Sequence, residues 1–225
     1  MKIGILQTGH APDELRPTIG DINNLFERLL DGQGFTFETF AVVDGDFPDG
    51  PDTCDGWLIT GSKHGAYDDL PWIAPLESLI RDVYRIGRPL VGICFGHQII
   101  AQALGGKVEQ FKGGWAVGRQ TYDWQGEQIF LNAWHRDQVV QRPADATPVA
   151  SNAFCENAAL VYGDHIFTVQ AHPEFDSTFI DGLIKARAGT VPPALIETAK
   201  DNLTKDVDNT HLATQIGAFF KGVKS

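Results

Sequence analysis

The chain has 225 residues, 43% apolar and 21% charged, with a net charge of −11. This length suits one large α/β domain spanning 1–225 with a sizeable core, and an acidic surface argues against nucleic-acid or anionic-membrane partners. No apolar run approaches the ~20 residues of a membrane helix, and Cys54, Cys94 and Cys155 lack the short spacings of a zinc site or disulfide framework.

Met1–Leu6 has no long apolar segment or cleavage site, so it reads as a first strand and not a signal peptide, and a cytoplasmic location is expected. The strand covers Lys2–Gln7, and a loop follows over Thr8–Pro17. Apolar residues at helical spacing predict a helix over Thr18–Leu30. Phe35–Val43 alternates as a second strand. The acidic loop Asp44–Asp55 lacks calcium-loop spacing and reads as turn chemistry. Gly56–Thr60 is a short strand ending in Gly61-Ser62, and Pro75–Ile86 is an amphipathic helix. Pro89–Ile93 is an apolar strand that turns sharply at Cys94 into a helix from about Gly96 to Leu104. This alternation predicts an α/β fold, an open, mostly parallel sheet flanked by helices. The pattern changes over Lys107–Val161, where Val117–Asp123, Gln128–Ala133, Thr147–Ala153 and Ala158–Tyr162 predict an appended antiparallel β region. His165–Ala171 is another strand. Helices over Ser177–Ala188, Pro193–Leu203 and Val207–Gly222 complete the chain.

Three pieces fall at the carboxyl ends of predicted core strands, the edge where open parallel sheets form sites: Gly61-Ser62, Cys94, and His172-Pro173-Glu174. A nucleophile at the apex of a strand-to-helix turn needs small neighbours, which Gly92 and Gly96 supply. The helix would put unpaired N–H groups and a positive dipole end beneath a sulfur anion. His172 can serve as the base. Glu174 lies two residues on, on the same side of an extended segment, with Pro173 keeping His172 extended. The N–H groups of Phe95 and Gly61 are candidate oxyanion donors. Taken singly, the cysteine could be a buried core thiol and His-Pro-Glu an exposed turn; their joint placement on one edge favours chemistry.

Gly92-Ile93-Cys94-Phe95-Gly96-His97-Gln98, Leu104-Gly105-Gly106-Lys107-Val108 and His172-Pro173-Glu174 together resemble the class I (triad) glutamine amidotransferase family, from about Lys2 to Phe179. The resemblance implies a flavodoxin-like sheet and a Cys94-His172-Glu174 triad. It implies hydrolysis of a γ-glutamyl amide through a thioester, with no metal or organic cofactor. Gln98 matches a glutamine that contacts the substrate's amino-acid end. Trp115, within Gly113–Gly118, matches a loop that holds that end. Trp134–Val139 is similar to a supporting His-x-Asp segment, and His97 is expected to be structural. The family commonly carries two glycines where this chain has Gly61-Ser62-Lys63. Tyr67, Trp72 and Trp134 are further candidates for the pocket wall. A small-molecule γ-glutamyl substrate is expected, and a separate synthetase subunit is a possible partner, since no synthetase follows Ser225. The competing readings are a stand-alone γ-glutamyl peptidase and a non-catalytic binding or regulatory protein on the same fold.

Overall fold

Strand periodicity and a change of strand direction organise the molecule. The computed structural model describes residues 1–223, apart from the side chain of residue 188. In chain order the strands and helices are β1 (Lys2–Leu6), α1 (Arg16–Ile19), α2 (Ile22–Leu29), β2 (Thr36–Phe40), β3 (Gly56–Ile59), α3 (Ile73–Arg85), β4 (Leu90–Ile93) and α4 (Phe95–Ala103). Then come β5 (Lys107–Gln110), β6 (Ala116–Trp124), β7 (Glu127–His135), β8 (Asp137–Gln141), β9 (Ala146–Ser151), β10 (Ala159–Tyr162) and β11 (Ile166–Val169). Three helices close the chain: α5 (Ser177–Arg187), α6 (Pro193–Asp201) and α7 (Asn209–Phe220).

Nine of the strands form one sheet in the order β2-β1-β3-β4-β11-β10-β9-β6-β7. From β2 to β11 neighbours run parallel; from β11 onward they run antiparallel. The strands β3, β4 and β11 are buried along their whole length, as a sheet covered on both faces requires. Side chains alternate between two apolar cores. Ile3, Ile5, Leu58, Val91 and Phe167 face α2, α5 and α7, while Leu6, Trp57, Ile59, Leu90 and Ile166 face α3 and α4. In register, Val91 sits between Leu58 and Phe167. The carboxyl ends of β3, β4 and β11 therefore finish side by side.

Two details differ from expectation. The helix expected over Thr18–Leu30 is broken at Gly20-Asp21, because the Asp21 carboxylate caps α2 by accepting from the Ile22 N–H at 2.8 Å and also accepts the Ala11 N–H at 2.7 Å. Two strands, β5 and β8, were not expected: β7 runs through His135, and β8 then pairs with β5 as a separate two-stranded sheet. Among the described residues no helix is long and apolar enough to cross a membrane.

Candidate active site

Cys94 is the apex of the β4–α4 turn, with φ 53° and ψ −103°. This is a sparsely populated conformation for a residue with a side chain, and it persists only when its surroundings over-determine it. They do. The Cys94 N–H donates to the Val169 carbonyl at 2.8 Å, and the Gly96 N–H to the Thr60 carbonyl at 3.1 Å. A Cβ on Gly96 would lie 2.3 Å from the Ile59 carbonyl oxygen, and one on Gly92 2.6 Å from the Gly96 carbonyl. Only glycine lets strand, elbow and helix approach this closely. The same contacts set up an oxyanion site. The Thr60 carbonyl also accepts from the Thr8 hydroxyl at 2.9 Å. Since the peptide is planar, pinning that carbonyl fixes the Gly61 N–H in the opposite direction. Neither the Gly61 nor the Phe95 N–H has an acceptor among the described residues. A Cβ on Gly61 would lie 2.8 Å from His172 Cε1 and 3.7 Å from Cys94 Cβ, so a side chain here would press on the imidazole beside the cysteine.

His172 reaches the cysteine from β11. Its Nδ1 bonds the Glu174 carboxylate at 2.7 Å, with the carboxylate side chain wholly buried, and the ring lies within electrostatic reach of Cys94. Burial alone would depress the imidazole. The carboxylate and the cysteine more than reverse this and lift it to about 10, so the ring is held as a cation. The pairing is not made along an extended segment. Residues 172–175 form a turn, closed by the Phe175 N–H donating to the His172 carbonyl at 3.3 Å, and this turn swings Glu174 back onto the ring. The arm is held from a distance. The His172 N–H donates to the Asn132 carbonyl at 2.8 Å, and the amide groups of Asn132 and Asn209 donate to the Phe175 carbonyl at 2.9 and 3.0 Å. The Phe175 ring stacks on His172 at 3.8 Å and 4°. That face favours an imidazolium.

Cys94 opens into a cleft of about 690 Å³ whose walls include Gln98, Trp115, Trp134 and Tyr67. Gln98 is brought to the cleft as expected, but its amide nitrogen donates inward, to the Asp137 carbonyl at 2.9 Å and Gln170 Oε1 at 3.1 Å. Trp115 is half-buried on the wall. Trp72 is not part of it: it packs in the core against Phe95. His97 and His135 are buried, and burial pushes both down to about 3, so they are neutral. His97 bonds the Thr168 hydroxyl at 2.8 Å and His135 the Asp137 carbonyl at 3.2 Å. Neither shares the work of His172. Among the described residues no cluster of His, Cys, Asp and Glu could hold a metal ion.

The family model for class-I glutamine amidotransferases matches residues 51–185, which include the elbow and the His172 arm. The chain belongs to the class-I glutamine amidotransferase family. Gamma-glutamyl peptidase 4 of Arabidopsis thaliana is 31% identical over 85% of this chain and 83% of its own. A glutamine-hydrolysing GMP synthase subunit of Methanospirillum hungatei is 36% identical, but over 45% of this chain and 58% of its own. The crystal structure of a glutamine amido transferase from Methylobacillus flagellatus superposes with a TM-score of 0.78, covering 100% of this chain and 95% of that one at 22% identity, a likeness of fold.

What the motifs of this family member did not reveal is the scaffolding. Asn132, Asn209, Phe175, Thr8 and Thr60 position the site through bonds between residues far apart in the chain. Asn132 falls between Leu131 and Ala133, at a position of β7 where strand alternation expects a polar residue, so no signal in the sequence marked its burial beforehand.

Proposed function

We propose that this protein hydrolyses γ-glutamyl amide bonds through a thioester on Cys94. The observation that carries the reading is a His172 held cationic by a buried Glu174 beside the strained elbow of Cys94. In the first half-reaction Cys94 Sγ attacks the γ-carbonyl carbon as a thiolate. The oxyanion accepts from the Gly61 and Phe95 N–H groups. The C–N bond breaks as His172 gives its proton to the nitrogen, and the free amine leaves. In the second, neutral His172 takes a proton from water, the hydroxide attacks the thioester carbon, and the C–S bond breaks to restore the thiolate and release glutamate. Glu174 is a positioning residue that keeps the imidazolium oriented. Gln98 and Trp115 are proposed to bound the glutamyl end of the substrate.

Alignments over 85% and 94% of this chain with γ-glutamyl peptidases support a self-sufficient peptidase. The likeness to a glutamine-hydrolysing GMP synthase subunit supports a second reading, in which ammonia released from glutamine passes to a separate synthetase. Steady-state assays on the purified chain, comparing glutamine with γ-glutamyl dipeptides and using Cys94→Ala as blank, separate the two. Faster turnover of dipeptides supports the peptidase. Weak glutaminase activity that rises with an added synthetase supports the second reading.

A further inference from the structure

Three cationic side chains line the cleft, Lys63, Arg136 and Arg187, and two of them, Lys63 and Arg187, also reach a second hollow. A narrow hollow on the His172 side of the cleft is lined by Gly61, His172, Phe175, Lys63 and Arg187, and not by Cys94, Gln98 or Trp115. Lys63 and Arg187 also line the main cleft. Lys63 and Arg187 therefore stand where the hollow beside His172 meets the cleft beside Cys94. Neither cationic side chain makes an ion pair or hydrogen bond among the described residues, although the chain carries 29 acidic residues against 18 Lys and Arg. The nearby carboxylates are turned to other partners: Asp137 accepts from the Tyr67 hydroxyl, Asp68 from the Gly65 N–H, and Glu174, which lines the hollow, is held by His172. Glu14, across an outer hollow, acts on Arg187 only through space.

Arg187 ends α5, where the helix dipole favours a cation. The dipole explains an arginine there but not its burial. Its guanidinium is partly desolvated, and burial pushes it below the ordinary arginine value. A partly buried, unpaired guanidinium is unfavourable unless an anion completes it.

We infer that Arg187, assisted by the exposed Lys63, binds a carboxylate on the leaving group, so that the preferred substrates are γ-glutamyl peptides with a free C-terminal carboxylate. The inference rests on the proposed hydrolysis at Cys94, because it takes the amine to leave past His172. The group attached to that nitrogen then occupies the hollow in which the two cations lie. The glutamyl end, on the Gln98 side, is read independently of them.

The test compares γ-glutamylglycine with γ-glutamylglycinamide, which differ only in that carboxylate. In the wild-type chain kcat/KM for the acid exceeds that for the amide by roughly 10- to 100-fold, the size of a charge-assisted hydrogen bond. Arg187→Met keeps the apolar stem, removes this preference through a higher KM for the acid, and leaves the amide within about twofold. Arg187→Lys restores part of it, and Lys63→Ala costs the acid roughly twofold to fivefold. A wild-type chain without preference, or an Arg187→Met chain that loses both substrates equally while still folded by circular dichroism, overturns the inference and leaves the hydrolase reading standing. Calorimetry of both ligands on Cys94→Ala separates the opposite failure. Carboxylate-dependent binding that Arg187→Met abolishes, in a chain without turnover, keeps the anion site and sinks the hydrolase. Absence of both turnover and carboxylate-dependent binding sinks the two together.

Discussion

The cysteine elbow and the histidine arm meet at one point but are specified in opposite ways. The elbow is built by neighbours in sequence: Gly92, Cys94 and Gly96 lie within five residues, and the strain at Cys94 is imposed by the strand before and the helix after it. The arm is built by strangers. His172 is fixed by Asn132 on β7 and by Asn209 on α7, together with a stacked ring that reaches it only because the chain turns. One half of the site is therefore a local conformation held by close packing. The other is a hydrogen-bonded junction that exists only once the antiparallel strands have joined the sheet.

The sharpest break between the halves is chemical. Cys94→Ala is expected to lower turnover by at least ~10⁴-fold, and His172→Ala by a similar factor, since triad members act as a unit. Stability should part them. Alanine adopts the Cys94 backbone no worse than cysteine does, so thermal melting of Cys94→Ala should stay close to wild type. His172→Ala leaves the Glu174 carboxylate buried and unpaired, and should cost about 3 kcal/mol. Equal melting temperatures for the two variants would contradict the view that the arm depends on its ion pair.

Gly96→Ala attacks the elbow without touching a reacting group. The new Cβ would meet the Ile59 carbonyl oxygen at 2.3 Å, and that carbonyl belongs to central strand backbone that cannot move aside. We expect a loss of about 3 kcal/mol in denaturant unfolding, together with loss of activity. Retained stability would mean that the elbow can shift, and that the positive φ at Cys94 is not forced by packing.

This contrast explains what was legible in the sequence. The elbow could be read because its causes are adjacent: two glycines around a cysteine, between an apolar strand and a helical pattern. The parallel core was readable for the same reason, since Leu90–Ile93 and Gly56–Ile59 are short apolar runs bounded by turns. Helix and strand limits drifted where side chains capped the backbone, as Asp21 does at α2. The pairing of His172 with Glu174 was expected, but through an extended segment; the turn that makes it depends on Asn132 and Asn209, which lie 40 and 37 residues away in the chain. The β5–β8 pair was missed because its strands are short and separated by the β6–β7 hairpin. The inward turn of the Gln98 amide was also invisible, as it is set by Gln170 and Asp137.

Glu174→Gln tests whether the arm works by charge or by shape. The glutamine keeps the volume and a hydrogen-bond acceptor but removes the anion that raises His172. Turnover should fall roughly 10- to 100-fold. The direction of the pH effects follows from the raised imidazole. In the wild type His172 is protonated in the folded chain over a range where the unfolded chain has lost that proton. Stability from this group is then full below about 6.5 and is lost as pH rises through about 10. Without the carboxylate, burial dominates and the value falls. The alkaline limb of kcat/KM should therefore move to lower pH, and the decline of stability between neutral and alkaline pH should flatten. An alkaline limb that stays in place while turnover falls would assign Glu174 to orientation alone.

The smallest effect is expected from the face of the arm that no charge touches. Phe175 stacks on His172 at 3.8 Å and packs its other neighbours into the core through Phe179 at 4.3 Å. Phe175→Leu fills most of that volume but has no ring to lay on an imidazolium, an interaction of about 0.5–2 kcal/mol. Turnover should drop about twofold to thirtyfold at that energy, and the alkaline limb should shift down by less than in Glu174→Gln. The backbone carbonyl of residue 175 still accepts from Asn132 and Asn209, so the arm keeps its position. Asn132→Ala provides the contrast, because it removes a donor to that carbonyl and leaves the ring in place. If the ring matters through the cation, Phe175→Leu moves the pH profile and Asn132→Ala lowers kcat without moving it. If both variants lower kcat alone, the stacking serves only to hold the turn, and the arm is specified by its hydrogen bonds.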